Sequence, residues 1–203
     1  MVRVDPHAWS AMLADFTELA AELLVVDWAG QGRPVIARRP ACGDLATGQV
    51  PLGLPLPPAQ ERRRLMLRLP VEGLTSAVPP PLLRDAAIQA PMLWRPTIAA
   101  ILALDDTVRC FGSIAWQYLT KLPYITQASD LDLLWTVKSA RQADLFAAQI
   151  SAIAGRAPMR IDGEFVTGAG LAVQWSEWES PAADLVVKST EWVSLLARAD
   201  LFA

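Results

Sequence analysis

Apolar residues recur in two rhythms along this chain. Over residues 8–24 they follow helical spacing, with a break expected near Asp15. Residues 34–39, 50–56 and 65–69 are short apolar runs of strand type, the last two separated by Pro55, Pro57 and Pro58, and residues 44–49 read as a loop. Pro79-Pro80-Pro81 is stiff and continues neither helix nor strand, which places a boundary within 75–92. The expected organisation is a small α+β domain over 1–80 and a second domain over 81–203.

Past the boundary the two rhythms alternate. Residues 96–104 form a predicted helix with Pro96 in its first turn, and 108–111 a strand. A helix over 114–121 precedes the strand Leu131–Val137, and a helix over 141–154 carries Leu145, Ala148 and Ala152 at helical spacing. Residues 160–166 and 171–175 form a hairpin around Thr167-Gly168-Ala169-Gly170. A short strand at 185–188 and a last helix at 191–197 complete the chain. This order predicts an α+β fold, a mixed sheet with helices packed on it.

Chemistry concentrates where a strand meets Gly112-Ser113 and where Asp130 and Asp132 open the next strand. Side chains two apart on a strand share a face, so the two carboxylates would sit roughly 6–7 Å apart by Cα and could share a hard cation. A Gly-Ser turn leading into a helix offers N–H groups to phosphates. Metal-assisted phosphoryl or nucleotidyl transfer needs both parts. The order of strand, Gly-Ser, helix and acidic strand predicts a polymerase-β-like nucleotidyltransferase core. Asp162 and Glu164 also share one face, and either could be a third carboxylate that helps deprotonate an attacking hydroxyl.

Composition narrows the partners. Apolar residues make up 53% of the 203, enough for a substantial core, and the net charge of −3 leaves no electrostatic footprint for nucleic acid. Arg38-Arg39 and Arg62-Arg63-Arg64 are candidate small-anion sites. One histidine, His7, and two separated cysteines, Cys42 and Cys110, cannot make a usual zinc site, and Cys110 reads as a core residue. Most of the 8 tryptophans are expected in the core, with Trp94 or Trp116 as candidates to stack on an adenine. The opening Met1-Val2-Arg3-Val4-Asp5 is polar and no apolar run is of membrane-spanning length, so a cytoplasmic protein is expected.

Gly112-Ser113, Leu119-Thr120-Lys121-Leu122-Pro123-Tyr124 and Ser129-Asp130-Leu131-Asp132 together resemble the malonate decarboxylase holo-acyl-carrier-protein synthase family, also called phosphoribosyl-dephospho-CoA transferase. Further matches are Pro51-Leu52-Gly53-Leu54-Pro55, Arg160-Ile161-Asp162-Gly163-Glu164, Trp175-Ser176-Glu177-Trp178 and Val186-Val187-Lys188-Ser189-Thr190, so the resemblance runs from about Arg33 onward. Lys121 stands where it leads one to expect a glycine. It implies transfer of a prosthetic group from 2′-(5″-triphosphoribosyl)-3′-dephospho-CoA to a serine of the apo acyl-carrier subunit, with release of diphosphate. On that reading Asp130 and Asp132 hold Mg²⁺ and Asp162 completes the site or acts as base. Gly112 and Ser113 bind the β- and γ-phosphates, and Arg38, Arg39, Arg62, Arg63 and Lys188 contact phosphate or phosphopantetheine.

Rival readings differ in acceptor or in class. One is an enzyme of the same fold acting on the citrate lyase carrier or using ATP. The other is a non-catalytic module that binds the carrier, for which clustered carboxylates serve no purpose.

Overall fold

The computed structural model describes residues 1–40 and 48–202. Cys42 and most of the expected loop at 44–49 lie outside these residues. The chain divides into two compact units, Met1–Pro79 and Pro80–Ala203.

In the first unit the elements are β1 (Val2–Val4), α1 (Pro6–Leu13), α2 (Thr17–Ala20), α3 (Leu23–Val26), β2 (Ile36–Ala37), β3 (Gln49–Pro55), β4 (Arg64–Pro70) and β5 (Leu74–Ala77). Asp5 starts α1 by accepting from the N–H groups of His7 and Ala8, and Pro6 fits the first helical position, where no N–H is needed. The helix expected over 8–24 is three short ones. Buried Trp9 donates its indole N–H to the carbonyl of Val25 at 2.8 Å, so the chain must fold back on itself after α1. β3 lies between β2 and β4, all antiparallel, and alternate residues Leu52, Leu54, Leu67 and Leu69 are buried. β1 pairs with β5 in a separate sheet that the short apolar runs did not announce.

The second unit carries α4 (Leu83–Ala86), α5 (Arg95–Leu104), β6 (Arg109–Cys110), α6 (Gly112–Thr120), β7 (Leu131–Val137) and α7 (Ala140–Ala154). These are followed by β8 (Ile161–Thr167), β9 (Ala172–Gln174), α8 (Trp175–Glu179), β10 (Asp184–Lys188) and β11 (Val193–Ala197). The strands form one six-stranded sheet ordered β11-β10-β9-β8-β7-β6. β7 and β8 are parallel, with α7 as their crossover, and every other pair is antiparallel. The sheet is mixed, and β7 lies between β6 and β8 as the chain order leads one to expect.

Alternation along β7 and β8 sorts the two faces. Leu131, Leu133, Trp135, Val137, Ile161 and Phe165 are buried, while Asp132, Leu134, Asp162 and Glu164 on the opposite face are half-buried. Gly163 permits the close approach of the two strands. A Cβ there would run into the Leu133 carbonyl and stand 2.8 Å from Trp135 Cζ3. Trp135 then meets Phe165 edge to face at 6.0 Å.

Three expectations are corrected here. Residues 191–197 are not a helix: Ser189 Oγ accepts from the N–H groups of Glu191 and Trp192, the chain reverses, and β11 pairs along β10 from Lys188↔Val193 to Asp184↔Ala197. The open edge of β10 supplies N–H and C=O partners that a helix would have left unpaired. Trp94 and Trp116 are buried, Trp116 against Tyr124 at 5.9 Å, so neither offers a free ring face to an adenine. Trp175 belongs to α8 rather than to the strand before it. Among the described residues no helix is long and apolar enough to cross a membrane.

Candidate active site

Register builds the acidic centre. Asp132 on β7 pairs with Asp162 on β8, and neighbouring strands lie about 4.8 Å apart, so the two carboxylates stand side by side on the half-buried face. β7 has the expected bounds, so Asp130, which the same-face argument took into the strand, sits just before it. An arginine brings it in. Arg160 donates Nη2 to Asp130 Oδ2 at 2.8 Å and to Asp162 Oδ2 at 2.9 Å, and Nε to Asp130 Oδ2 at 3.1 Å. Asp162 Oδ1 accepts from the Gly163 N–H and from Gln174 Nε2, each at 2.8 Å.

Gly112 and Ser113 border the same centre. The Phe111 N–H donates to the Asp132 carbonyl at 3.0 Å, which fixes the start of α6 against β7. Gly112 has φ +60°, and a Cβ on it would fall on Asp132 Oδ2 and 2.6 Å from Cγ. Only glycine leaves room for that carboxylate. No side chain caps α6, whose first N–H groups have no partner within the helix and whose positive end favours anions. Ser113 Oγ is buried and has no hydrogen-bond partner.

Burial pushes the Asp132 carboxyl up to about 6, and the neighbouring charges of Asp162 and Asp130 push the same way, while Arg160 opposes them. Desolvation and like charge thus outweigh the nearby guanidinium. A bound cation would reverse that balance. Among the described residues no three His, Cys, Asp or Glu side chains close around a point that could hold a metal. What is present is a pair of carboxylates, Asp130 and Asp132, beside the uncapped start of α6, with Arg160 on Asp130. Oxygen donors of this kind suit Mg²⁺, which keeps its waters and shares substrate phosphates.

The remaining candidates belong to the other unit or are already engaged. Lys188 on β10 donates to Glu164 Oε1 at 2.6 Å, so both charges are paired along the sheet from Asp162. Arg38, Arg39, Arg62 and Arg63 belong to the first unit. Arg38 lines a groove there of about 510 Å³ with Phe16, Met66 and Arg68. Arg63 pairs with Glu22 at 2.5 Å, and Arg62 sits in the turn before β4 with φ +55°. Lys121 ends α6 with φ +62°, the left-handed position where glycine is favoured, and its ammonium lies 4.6 Å from the Tyr118 ring. Cys110 is buried, and burial pushes its thiol up to about 12, so it is inert. The residues that the acidic motif did not single out are Arg160, Gln174 and Gly163. Arg160 could have been found from its i, i+2 spacing to Asp162.

Comparison with known proteins bears on all of this. The family model described as phosphoribosyl-dephospho-CoA transferase MdcG N-terminal domain matches residues 1–80, and the corresponding C-terminal domain matches 82–199. The match therefore starts at the first residue and not near Arg33. A phosphoribosyl-dephospho-CoA transferase of Bradyrhizobium diazoefficiens is 44% identical over 202 residues, 98% of this chain and 88% of its own. One of Xanthomonas campestris pv. campestris is 37% identical over 180 residues, 86% of this chain and 84% of its own. One of Xanthomonas euvesicatoria pv. vesicatoria is 36% identical over 179 residues with the same coverage. No solved structure matches the chain. With both family models spanning it and relatives aligned along most of its length, the chain belongs to the phosphoribosyl-dephospho-CoA transferase MdcG family and is an enzyme that transfers a group.

Proposed function

We propose that this protein transfers the 2′-(5″-phosphoribosyl)-3′-dephospho-CoA group from its triphosphate donor to a serine of the apo acyl-carrier subunit of malonate decarboxylase. The observation that carries this reading is the meeting of the Asp132–Asp162 pair with the uncapped start of α6 at Gly112-Ser113. We place it in a polymerase-β-like nucleotidyltransferase core. The mixed sheet, with acidic residues opening β7 and a helix beginning beside them, supports that placement.

The carrier serine Oγ attacks the α-phosphorus in line with the leaving group. A new P–O bond forms, the bond from the α-phosphorus to the bridging oxygen breaks, and diphosphate departs with that electron pair. Asp130 and Asp132 would hold Mg²⁺, which would supply positive charge to neutralise phosphate oxygens. The N–H groups of Gly112 and Ser113 and the Ser113 hydroxyl receive the β- and γ-phosphates, which gives the buried Oγ its missing partner. Asp162 takes the serine proton. Its Oδ1 is fixed by Gly163 and Gln174, which orients the carboxylate for that task. Lys188, tied to Glu164, keeps a positive charge farther along the same sheet for the rest of the donor.

Mass spectrometry of apo carrier after incubation with enzyme, Mg²⁺ and candidate donors tests the assignment. The expected product is the carrier of malonate decarboxylase bearing the phosphoribosyl-dephospho-CoA group. An AMP adduct from ATP would replace the donor, faster labelling of the citrate lyase carrier would replace the acceptor, and no adduct of any kind would reject catalysis.

A further inference from the structure

Arg160 covers the oxygen that the proposed chemistry needs. Asp162 Oδ1 is already taken by two donors at 2.8 Å, which leaves Oδ2, and Arg160 Nη2 sits on it at 2.9 Å. The same nitrogen and Nε hold Asp130 Oδ2, one of the two carboxylates read as cation ligands.

The arginine is anchored at its root and loose at its head. Its carbonyl accepts from the Leu131 N–H at 2.9 Å, which pins the backbone beside β7, while 66% of its side chain is exposed. The carboxylates are half-buried but the guanidinium is open to solvent, and an ion pair with one side in water holds modestly, so the guanidinium can leave Asp130 and Asp162 once a stronger cation competes. The charges give a reason for it to leave. Three carboxylates and one guanidinium sum to −2, which a divalent cation cancels, and that cation repels the guanidinium. A donor phosphate is then the matching partner, because the planar fork of arginine binds phosphate oxygens in pairs.

We propose that Arg160 is an exchangeable counter-ion and positioning residue. It neutralises Asp130 and Asp162 while no cation is bound. On cation binding it yields both carboxylates, uncovers Asp162 Oδ2 for the acceptor hydroxyl, and turns to the phosphates of the donor. This rests on the reading of Asp130 and Asp132 as cation ligands.

The full-length protein labelled with ¹⁵N-arginine tests it by NMR, with the Arg160 Nε–H signal assigned through its loss in R160K. Mg²⁺ binding is followed in parallel by calorimetry. The expected result is a signal at one position without metal, shifted and exchanging faster with Mg²⁺, and shifted again when inorganic diphosphate is added. If Mg²⁺ binds and the signal stays unchanged, Arg160 is a fixed strut and this proposal falls while the cation site stands. If Mg²⁺ does not bind at millimolar concentration, the cation site and the proposal fall together. R160Q supplies a second measure: Mn²⁺ should bind about tenfold tighter once its competitor is gone, with the donor KM raised more than kcat is lowered. Weaker Mn²⁺ binding in R160Q would mean that the guanidinium helps to build the cation site, and would overturn the exchange.

Discussion

The carboxylate of Asp132 occupies the space where any residue other than glycine at 112 would carry its Cβ. The start of a helix and an acidic strand residue are thereby locked together, and a small change at one must displace the other. Gly112→Ala should therefore keep a native circular dichroism spectrum yet lose at least about a hundredfold in turnover, since charge placed for a transition state is worth several kcal/mol. The left-handed backbone, φ +60°, adds a stability cost on the order of 1–2 kcal/mol for a residue with a Cβ. Near-normal turnover in this variant would show that Asp132 tolerates displacement.

Ser113 predicts the opposite split between stability and binding. Its Oγ is buried without a partner, so Ser113→Ala deletes an unsatisfied polar group and should leave the metal-free protein as stable or about 1 kcal/mol more stable. Donor binding should weaken severalfold if, as proposed, this hydroxyl receives a phosphate. Thermal melts with and without donor separate the two effects, and a melting temperature that falls in both would place Ser113 in the framework alone.

Asp132→Asn should abolish most activity and stabilise the metal-free fold at the same time. The Asp132 carboxyl is raised from 3.8 to about 6, so the folded state holds the proton more tightly than the unfolded chain. The favourable contribution is complete below about pH 4 and is lost as pH rises through 6, where the native state must ionise a half-buried acid. Above that range the Asn variant should gain on the order of 1–3 kcal/mol, and below it nothing. Urea denaturation in chelator at pH 4 and pH 8 reads the difference. An equal gain at both would remove titration as its cause.

Carrier modification should stop in excess chelator and return with Mg²⁺. Oxygen ligands alone, two of them from the protein, favour a hard ion that keeps waters and shares phosphates. Undiminished turnover in chelator would contradict the assignment of Asp130 and Asp132.

Lys121→Gly should stabilise the second unit. Lys121 closes α6 at φ +62°, a conformation that costs a side-chain-bearing residue about 1 kcal/mol, and its contact with the Tyr118 ring returns only part of that. A net gain of roughly 0.5 kcal/mol in chemical denaturation is expected, with turnover unchanged. A loss would mean that the ring contact outweighs the backbone strain.

Much of the second unit was legible because periodicity is a local property. Leu131, Leu133, Trp135 and Val137 bury one face of β7 and define the strand from its own residues, and the helical spacing of Leu145, Ala148 and Ala152 marks α7 in the same local way. That β7 and β8 are neighbours followed from chain order, since a strand, a crossover helix and a second strand lie side by side, but that Asp162 rather than Glu164 faces Asp132 is a matter of register. What lay beyond the sequence depends on atoms far apart along it. The run from Trp192 to Ala197 has no clear period, and only the open edge of β10 makes it a strand. Arg160 reaches Asp130 across thirty positions, and the elevated Asp132 carboxyl reflects burial and neighbours that no local pattern encodes. A residue's own face is set by the backbone next to it. Its partner, its solvation and therefore its proton affinity are set by whatever the tertiary structure brings against it.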